Sequence, residues 1–199
     1  METEREESIR IYLIRHLATR GNFRKEYIGS TDEDLSEEGK AAAAGRIYPP
    51  CGILFASPMK RCLQTAAICY PGRAPVILQD LRECDFGHFE ARNYEDMADD
   101  PEYRGWVDSG GRNPFPGGES LEAFGDRCVK AFGSALRETQ KRGLDSAAFV
   151  VHGGTIMALL DRLSDPKGDY FSWACENGGG FSCVYRDGRL REAAAVSFL

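Results

Sequence analysis

Ile9-Arg10-Ile11-Tyr12-Leu13-Ile14, followed at once by Arg15-His16, is the stretch on which the fold turns. Six residues rich in β-branched and aromatic side chains read as a short buried strand. Arg15 and His16 then stand where side chains leave its carboxyl end. The chain repeats the layout late: Ala147 to Val151 reads as a strand, His152 follows, and Gly153-Gly154 leads into a helix ending near Leu163. Open α/β sheets bind ligands beyond the carboxyl ends of their strands. Glycine lets the backbone approach an anion closely, and a helix N-terminus offers free N–H groups and a positive dipole end. The chain has three histidines, and two of them hold these matching strand exits.

Between these two blocks, Ile53-Leu54-Phe55-Ala56 reads as another buried strand and Val76-Ile77-Leu78 as a further one. Ser36 fits an N-cap, with Glu37 and Glu38 in the first turn of a helix through Ile47, stopped by Pro49-Pro50. Ser57-Pro58 opens a second helix with proline at its first position. Between Ser120 and Lys141, Leu121, Phe124, Cys128, Ala131, Phe132, Ala135 and Leu136 fall at helical spacing and predict a long amphipathic helix. Phe181–Tyr185 and Leu190–Val196 form a hairpin across Asp187-Gly188. His16 to about Leu35 reads as a polar loop. Residues 84 to 120 read as a long cap-like excursion with one or two short helices.

Alternation of strands and helices predicts an α/β three-layer sandwich: a mostly parallel central sheet with an antiparallel edge, and helices on both faces. No repeat or linker divides the chain, so residues 1–199 are expected to form a single domain. A domain of this length can bury roughly 70% of its extended surface, enough for a core without staples.

The start, Met1 to Glu7, is charged and carries no apolar leader pattern, and no run reaches the length of a membrane span. Seven cysteines without CxxC pairing fit reduced thiols, so a cytoplasmic location is expected. A net charge of −6 disfavours nucleic-acid binding but not a small phosphorylated metabolite. Local arginines outvote the global sign within a Debye length of ~8–10 Å. Oligomeric state leaves no signature.

Arg61 lies in Ala56-Ser57-Pro58-Met59-Lys60-Arg61-Cys62-Leu63-Gln64-Thr65-Ala66, on the first turns of a helix after a strand. Its planar guanidinium is suited to bidentate pairing with phosphoryl oxygens. With this third block in place, Arg15-His16-Leu17-Ala18-Thr19-Arg20-Gly21-Asn22 resembles the signature of the histidine phosphatase superfamily. That family includes phosphoglycerate mutases and α-ribazole phosphatase. Leu35-Ser36-Glu37-Glu38-Gly39 and Val151-His152-Gly153-Gly154 match further blocks in order. Leu81 to Glu90 resembles the block that supplies the acid. Two positions depart from the pattern: Leu17 and Ala91 stand where glycine is usual. A leucine at position 17 would be strained if the backbone there required a positive φ.

The resemblance implies a phosphomonoester hydrolase without metal or other cofactor. His16 attacks phosphorus and carries the phosphoryl group. Arg15, Arg61 and His152 surround its equatorial oxygens. Glu83 protonates the leaving alkoxide and then activates water. Phe86 and Phe89 are candidates for a dry wall that raises the Glu83 pKa. Asn22, Gly29 and the Gly153 N–H are candidate substrate contacts. Asp32-Glu33-Asp34 lacks a calcium-loop pattern and reads as a solvated loop, and His88 as a rim or surface residue. The block Gly117-Gly118-Glu119-Ser120 is similar to the α-ribazole phosphatase branch, so α-ribazole 5′-phosphate is one candidate substrate. Phosphoglycerate mutase chemistry and a non-catalytic phospholigand-binding role compete with hydrolysis. Cys183 and Arg189 also stand at the Cys-x5-Arg spacing of cysteine-dependent phosphatases, although a hairpin reading separates them.

Overall fold

The computed structural model describes residues 8–198. The charged run Met1–Glu7, read above as lacking a leader pattern, lies outside the described residues. A seven-stranded sheet forms the middle layer, in the order β3-β2-β4-β1-β6-β7-β5. Its strands are β1 (Ile9–Arg15), β2 (Ile53–Ala56), β3 (Val76–Ile77), β4 (Ser146–Val151), β5 (Ser164–Asp165), β6 (Gly180–Arg186) and β7 (Arg189–Val196). β3, β2, β4 and β1 run parallel, while β6 pairs antiparallel with both β1 and β7. The hairpin therefore sits on the antiparallel side as expected. The unanticipated two-residue β5 closes that side by pairing parallel to β7.

Among the described residues six α-helices accompany the sheet: α1 (Arg20–Phe23), α2 (Glu37–Ala41), α3 (Lys60–Cys69), α4 (Pro101–Asp108), α5 (Leu121–Lys141) and α6 (Gly153–Leu163). Central β2 is buried along its whole length and β4 along nearly all of it, which accounts for their continuous apolar reading. On one face α5 and α6 pack Phe124, Cys128, Phe132, Leu136, Ile156 and Leu159 against Ile11, Leu13, Phe55 and Phe149. Phe149 stacks on Phe55 at 4.9 Å and meets Phe132 at the same distance. On the other face α3 sets Cys62 and Ala66 against Ile14, Leu54, Ala148 and Val150. Among the described residues no helix is long and apolar enough to cross a membrane.

Several expectations need correcting. α2 stops at Ala41 rather than Ile47. Ala43, Ala44 and Arg46 donate to the third residue back, Gly45 takes φ +81°, and Ile47 N–H is drawn to the Phe198 carbonyl. Tight turns and a tertiary bond thus replace the last helical turns. α3 begins at Lys60 after a Met59 N-cap, so Pro58 lies outside the helix. The loop after His16 holds the one-turn α1, started by a reciprocal cap in which Asn22 N–H donates to Thr19 Oγ1 and Thr19 N–H to Asn22 Oδ1.

The stretch from 84 to 120 contains a 3-10 turn at Gly87–Phe89 and α4. It adds no strand to the sheet and is anchored instead by aromatic packing. Trp106 meets Phe115 at 4.9 Å, Phe86 meets Phe115 at 5.0 Å, and Tyr27 meets Phe86 at 5.3 Å.

Candidate active site

The carboxyl ends of β1 and β4 are adjacent in register, with Arg15 opposite Val151. That pairing brings His16 and His152 together, ring centroids 5.2 Å apart. His16 is buried, and its Nδ1 lies 2.7 Å from the Leu17 carbonyl oxygen. A carbonyl only accepts, so Nδ1 carries the proton and Nε2 keeps its lone pair. Burial, then the charge of Arg61, and to a lesser extent that of Arg15, hold the His16 pKa well below 6.5 against the opposing Leu17 bond. The ring is therefore neutral at pH 7, with a defined tautomer.

Arg61 is fully buried. Nη2 donates to the Gly29 carbonyl at 2.9 Å, Nη1 to the Thr31 carbonyl at 2.7 Å, and Nε to His152 Nδ1 at 3.2 Å. These partners are neutral, so its charge is solvated without being cancelled. Since Nδ1 of His152 accepts, Nε2 carries the proton and donates to Ser57 Oγ at 2.7 Å. Burial, Arg61, His16, Arg15 and Arg127 keep His152 uncharged. The expectation that His152 touches the equatorial oxygens meets a different geometry here. Both its nitrogens are engaged, Nδ1 by Arg61 and Nε2 by Ser57.

Arg15 donates from Nη1 to the Cys175 carbonyl at 2.6 Å. Its Nε is buried with no partner among the described residues, an orphan donor beside Gly153. Glu83 is buried; Oε1 accepts from Cys84 N–H and Oε2 from Gly154 N–H, both at 3.0 Å. A Cβ at position 154 would overlap Glu83 Oε1, so that glycine admits the carboxyl. Burial raises the Glu83 pKa, and the two N–H bonds, Arg61 and Arg15 offset that only in part. Two arginine charges, two neutral imidazoles and a carboxyl inclined to hold its proton leave a positive site suited to a phosphate dianion.

Arg15, His16 and Glu83 open into a cavity of about 310 Å³, with Arg61 and His152 buried behind them. Arg15, His16, Glu83, Gly153, Gly154 and the Asn22 amide form its polar end. Asn22 Oδ1 is occupied by Thr19 N–H and by Asn177 Nδ2 at 3.1 Å, which leaves the NH₂ as the end free to donate. Tyr27, Phe86, Trp106, Phe115, Phe124, Met157, Tyr170 and Phe171 supply an apolar outer wall. Phe86 lines the cavity as expected, whereas Phe89 is buried behind it in the core.

Gly29 is not at the pocket. Its N–H goes to Glu90 Oε1 at 2.8 Å and its carbonyl to Arg61, while a Cβ there would overlap the Cys84 carbonyl. The acidic run 32–34 is likewise tied in rather than merely solvated: Asp32 accepts from Lys60 N–H, Glu33 from Gly21 N–H and Asp34 from Gln64. His88 stays on the surface, paired with Glu102 at 2.9 Å. Cys183 is buried in β6 with its thiol pushed up to about 12, and Arg189 lies across the hairpin turn on β7. The cysteine-phosphatase spacing therefore forms no anion loop.

Sequence reasoning missed three supports. Glu90 Oε1 also accepts the Thr31 N–H at 2.8 Å, so one carboxylate oxygen shapes the loop that holds Arg61. Arg127 pairs with both oxygens of Glu119 and donates to the Glu83 carbonyl at 2.8 Å. Thr65 accepts from Leu17 N–H at 2.9 Å and steadies the nucleophile loop. Glu90, Glu119 and Thr65 all stood in the blocks quoted above, but their partners are remote in sequence.

Residues 11–195 match the family described as Histidine phosphatase superfamily (branch 1). Phosphoserine phosphatase 1 of Hydrogenobacter thermophilus is 30% identical over 193 residues, covering 91% of this chain and 88% of that protein. The crystal structure of phosphoglycerate mutase from Thermus thermophilus superposes with a TM-score of 0.71 at 28% identity, covering 94% and 99% of the two chains. Alpha-ribazole phosphatase from Shigella flexneri superposes with a TM-score of 0.79 at 22% identity, covering 95% and 96%, a likeness of fold.

Proposed function

The chain belongs to the histidine phosphatase superfamily, and from that premise we propose that it hydrolyses a small phosphomonoester whose alcohol presents an aromatic or other apolar face, through a phosphohistidine at His16. The observation that carries this reading is the division of the cavity into a polar floor built on Arg15, His16 and Glu83 and an aromatic wall. His16 Nε2 attacks phosphorus in line and the P–O bond to the alcohol breaks. Arg15 Nε–H, the Asn22 amide and the Gly153 N–H hold the phosphoryl oxygens as charge redistributes, with the buried Arg61 charge behind them. Glu83 gives its proton to the departing alkoxide. As carboxylate it then takes a proton from the water that cleaves the N–P bond, returning His16 and itself to their starting states.

Beyond Arg15, no arginine or lysine lines the cavity among the described residues. A carboxylate on the substrate would find no cation there besides Arg15, which favours hydrolysis over phosphoglycerate mutase chemistry. An aromatic nucleoside phosphate such as α-ribazole 5′-phosphate fits the wall's composition. Retention of every proposed reacting group argues against a purely binding role. So does Leu17, which is not among the positive-φ residues.

The test is phosphate release from naphthyl phosphate, α-ribazole 5′-phosphate and 3-phosphoglycerate, with EDTA present, for wild type and His16→Ala. The expected outcome is turnover of the first two, its loss in the variant, and an acid-labile phosphoenzyme trapped from wild type only. Unchanged turnover in His16→Ala would overturn the mechanism, and preference for 3-phosphoglycerate would overturn the substrate class.

A further inference from the structure

Glu26 is a charged side chain on the cavity lining to which the proposed chemistry gives no role. It sits beside Tyr27, whose ring belongs to the aromatic wall. Its backbone is fixed, with its N–H on the Gly21 carbonyl at 3.0 Å. The side chain is only 11% exposed, whereas its partner Arg24 is 61% exposed. Arg24 holds both carboxylate oxygens, Nε on Oε1 at 2.7 Å and Nη2 on Oε2 at 2.9 Å. Arg24 does not line the cavity. Glu26 is thus the member of the pair that reaches the cavity, and Arg24 the member that reaches solvent. A carboxylate has about four lone-pair sites, and Arg24 occupies two of them.

We propose that Glu26 is a specificity-determining residue that accepts a hydrogen bond from an ammonium or hydroxyl on the alcohol part of the substrate and excludes alcohols bearing a carboxylate. The inference rests on the phosphomonoesterase reading above and narrows its substrate class. At the inner end Arg15 is committed to the phosphoryl group. At the outer end the lining offers aromatic faces and one carboxylate acceptor, that of Glu26. A cationic or hydroxylic group gains the acceptor and, if cationic, the ring faces as well. A carboxylate is desolvated against apolar walls and placed near a like charge.

The experiment uses three phosphate esters of para-substituted phenols whose substituent is insulated from the ring by two carbons: 4-(2-aminoethyl)phenyl, 4-ethylphenyl and 4-(2-carboxyethyl)phenyl phosphate. Leaving-group chemistry is then similar, and kcat/KM reports recognition. The aminoethyl ester is expected to exceed the carboxyethyl ester by at least about tenfold in wild type. That ratio should fall toward one in Glu26→Gln and invert in Glu26→Arg. Arg24→Ala removes the salt bridge but keeps the carboxylate, and should preserve or widen the ratio. A ratio unchanged by Glu26→Gln and Glu26→Arg, or one that Arg24→Ala collapses in the same way, would overturn the proposal and assign Glu26 a structural role. Failure of the parent reading looks different: none of the three esters would release phosphate in a His16-dependent manner.

Discussion

Among single residues, the two departures from the family pattern part company. Leu17 is buried, is absent from the positive-φ set, and is held through its N–H by Thr65. Ala91 takes φ +56°, a region that costs an L-residue roughly 1–2 kcal/mol. Ala91→Gly should therefore raise stability by about 0.5–1 kcal/mol after the extra unfolded-state entropy of glycine is subtracted. A higher urea midpoint at constant m-value would register it. Proton inventory is a second matter for individual side chains. His16 must be neutral, and its depressed pKa puts the acidic fall in kcat/KM well below pH 6.5. Glu83 must be protonated to act as an acid, so activity should decline as pH rises through its raised pKa. Glu83→Gln is expected to lose that alkaline limb and about 10²–10⁴-fold in rate, read from a pH–kcat/KM profile. That His16, Arg61 and Glu83 belong to one candidate site was legible in the sequence blocks. Their tautomers and protonation were not, because these depend on which carbonyl, hydroxyl or N–H the fold brings to each atom.

Among the elements, strands and the long helix followed their patterns closely, since β1, β2, β4 and α5 bury the faces that their apolar spacing marks. Short elements did not. α2 lost its last turns to the Ile47–Phe198 bond, and α1 depended on a cap between Thr19 and Asn22. The loop at 28–31 shows how an element without regular structure serves the site. Glu90 Oε1 gathers the Gly29 and Thr31 N–H groups, and the carbonyls of those residues face Arg61. Glu90→Ala should lower kcat by about 10- to 100-fold through misplacement of Arg61. Glu90→Gln should recover most of that loss, because one oxygen receives both bonds and the amide retains an oxygen. Equal losses in both variants, measured by steady-state kinetics, would refute this account of the loop.

For the molecule taken whole, the active site works against the stability of the fold that carries it. His16 and His152 are buried neutral, so below pH 6.5 the unfolded chain binds protons that the folded one refuses. Stability should fall as pH drops through that window, by about 1.4 kcal/mol per pH unit for each proton not taken up. Glu83 has the opposite sign: above 4.5 the unfolded chain releases a proton that the folded one keeps, so stability declines as pH rises toward its raised pKa. Urea midpoints between pH 7.5 and 5 should therefore decrease toward acid, and more steeply in Glu83→Gln, where the opposing contribution is gone. Local pattern was enough for the α/β class, the two strand-exit histidines, Arg61 and the acid block, because strand periodicity and glycine placement can be read within a short window of chain. Packing was needed to show that Gly29 gives its N–H to Glu90 and its carbonyl to Arg61, that both His152 nitrogens are engaged, and that Glu26 lies on the lining of an aromatic cavity. Those facts rest on contacts between residues tens of positions apart, as between Gly29 and Glu90 or Arg61 and His152, and the geometry of such contacts exists only once the sheet and its excursion have packed.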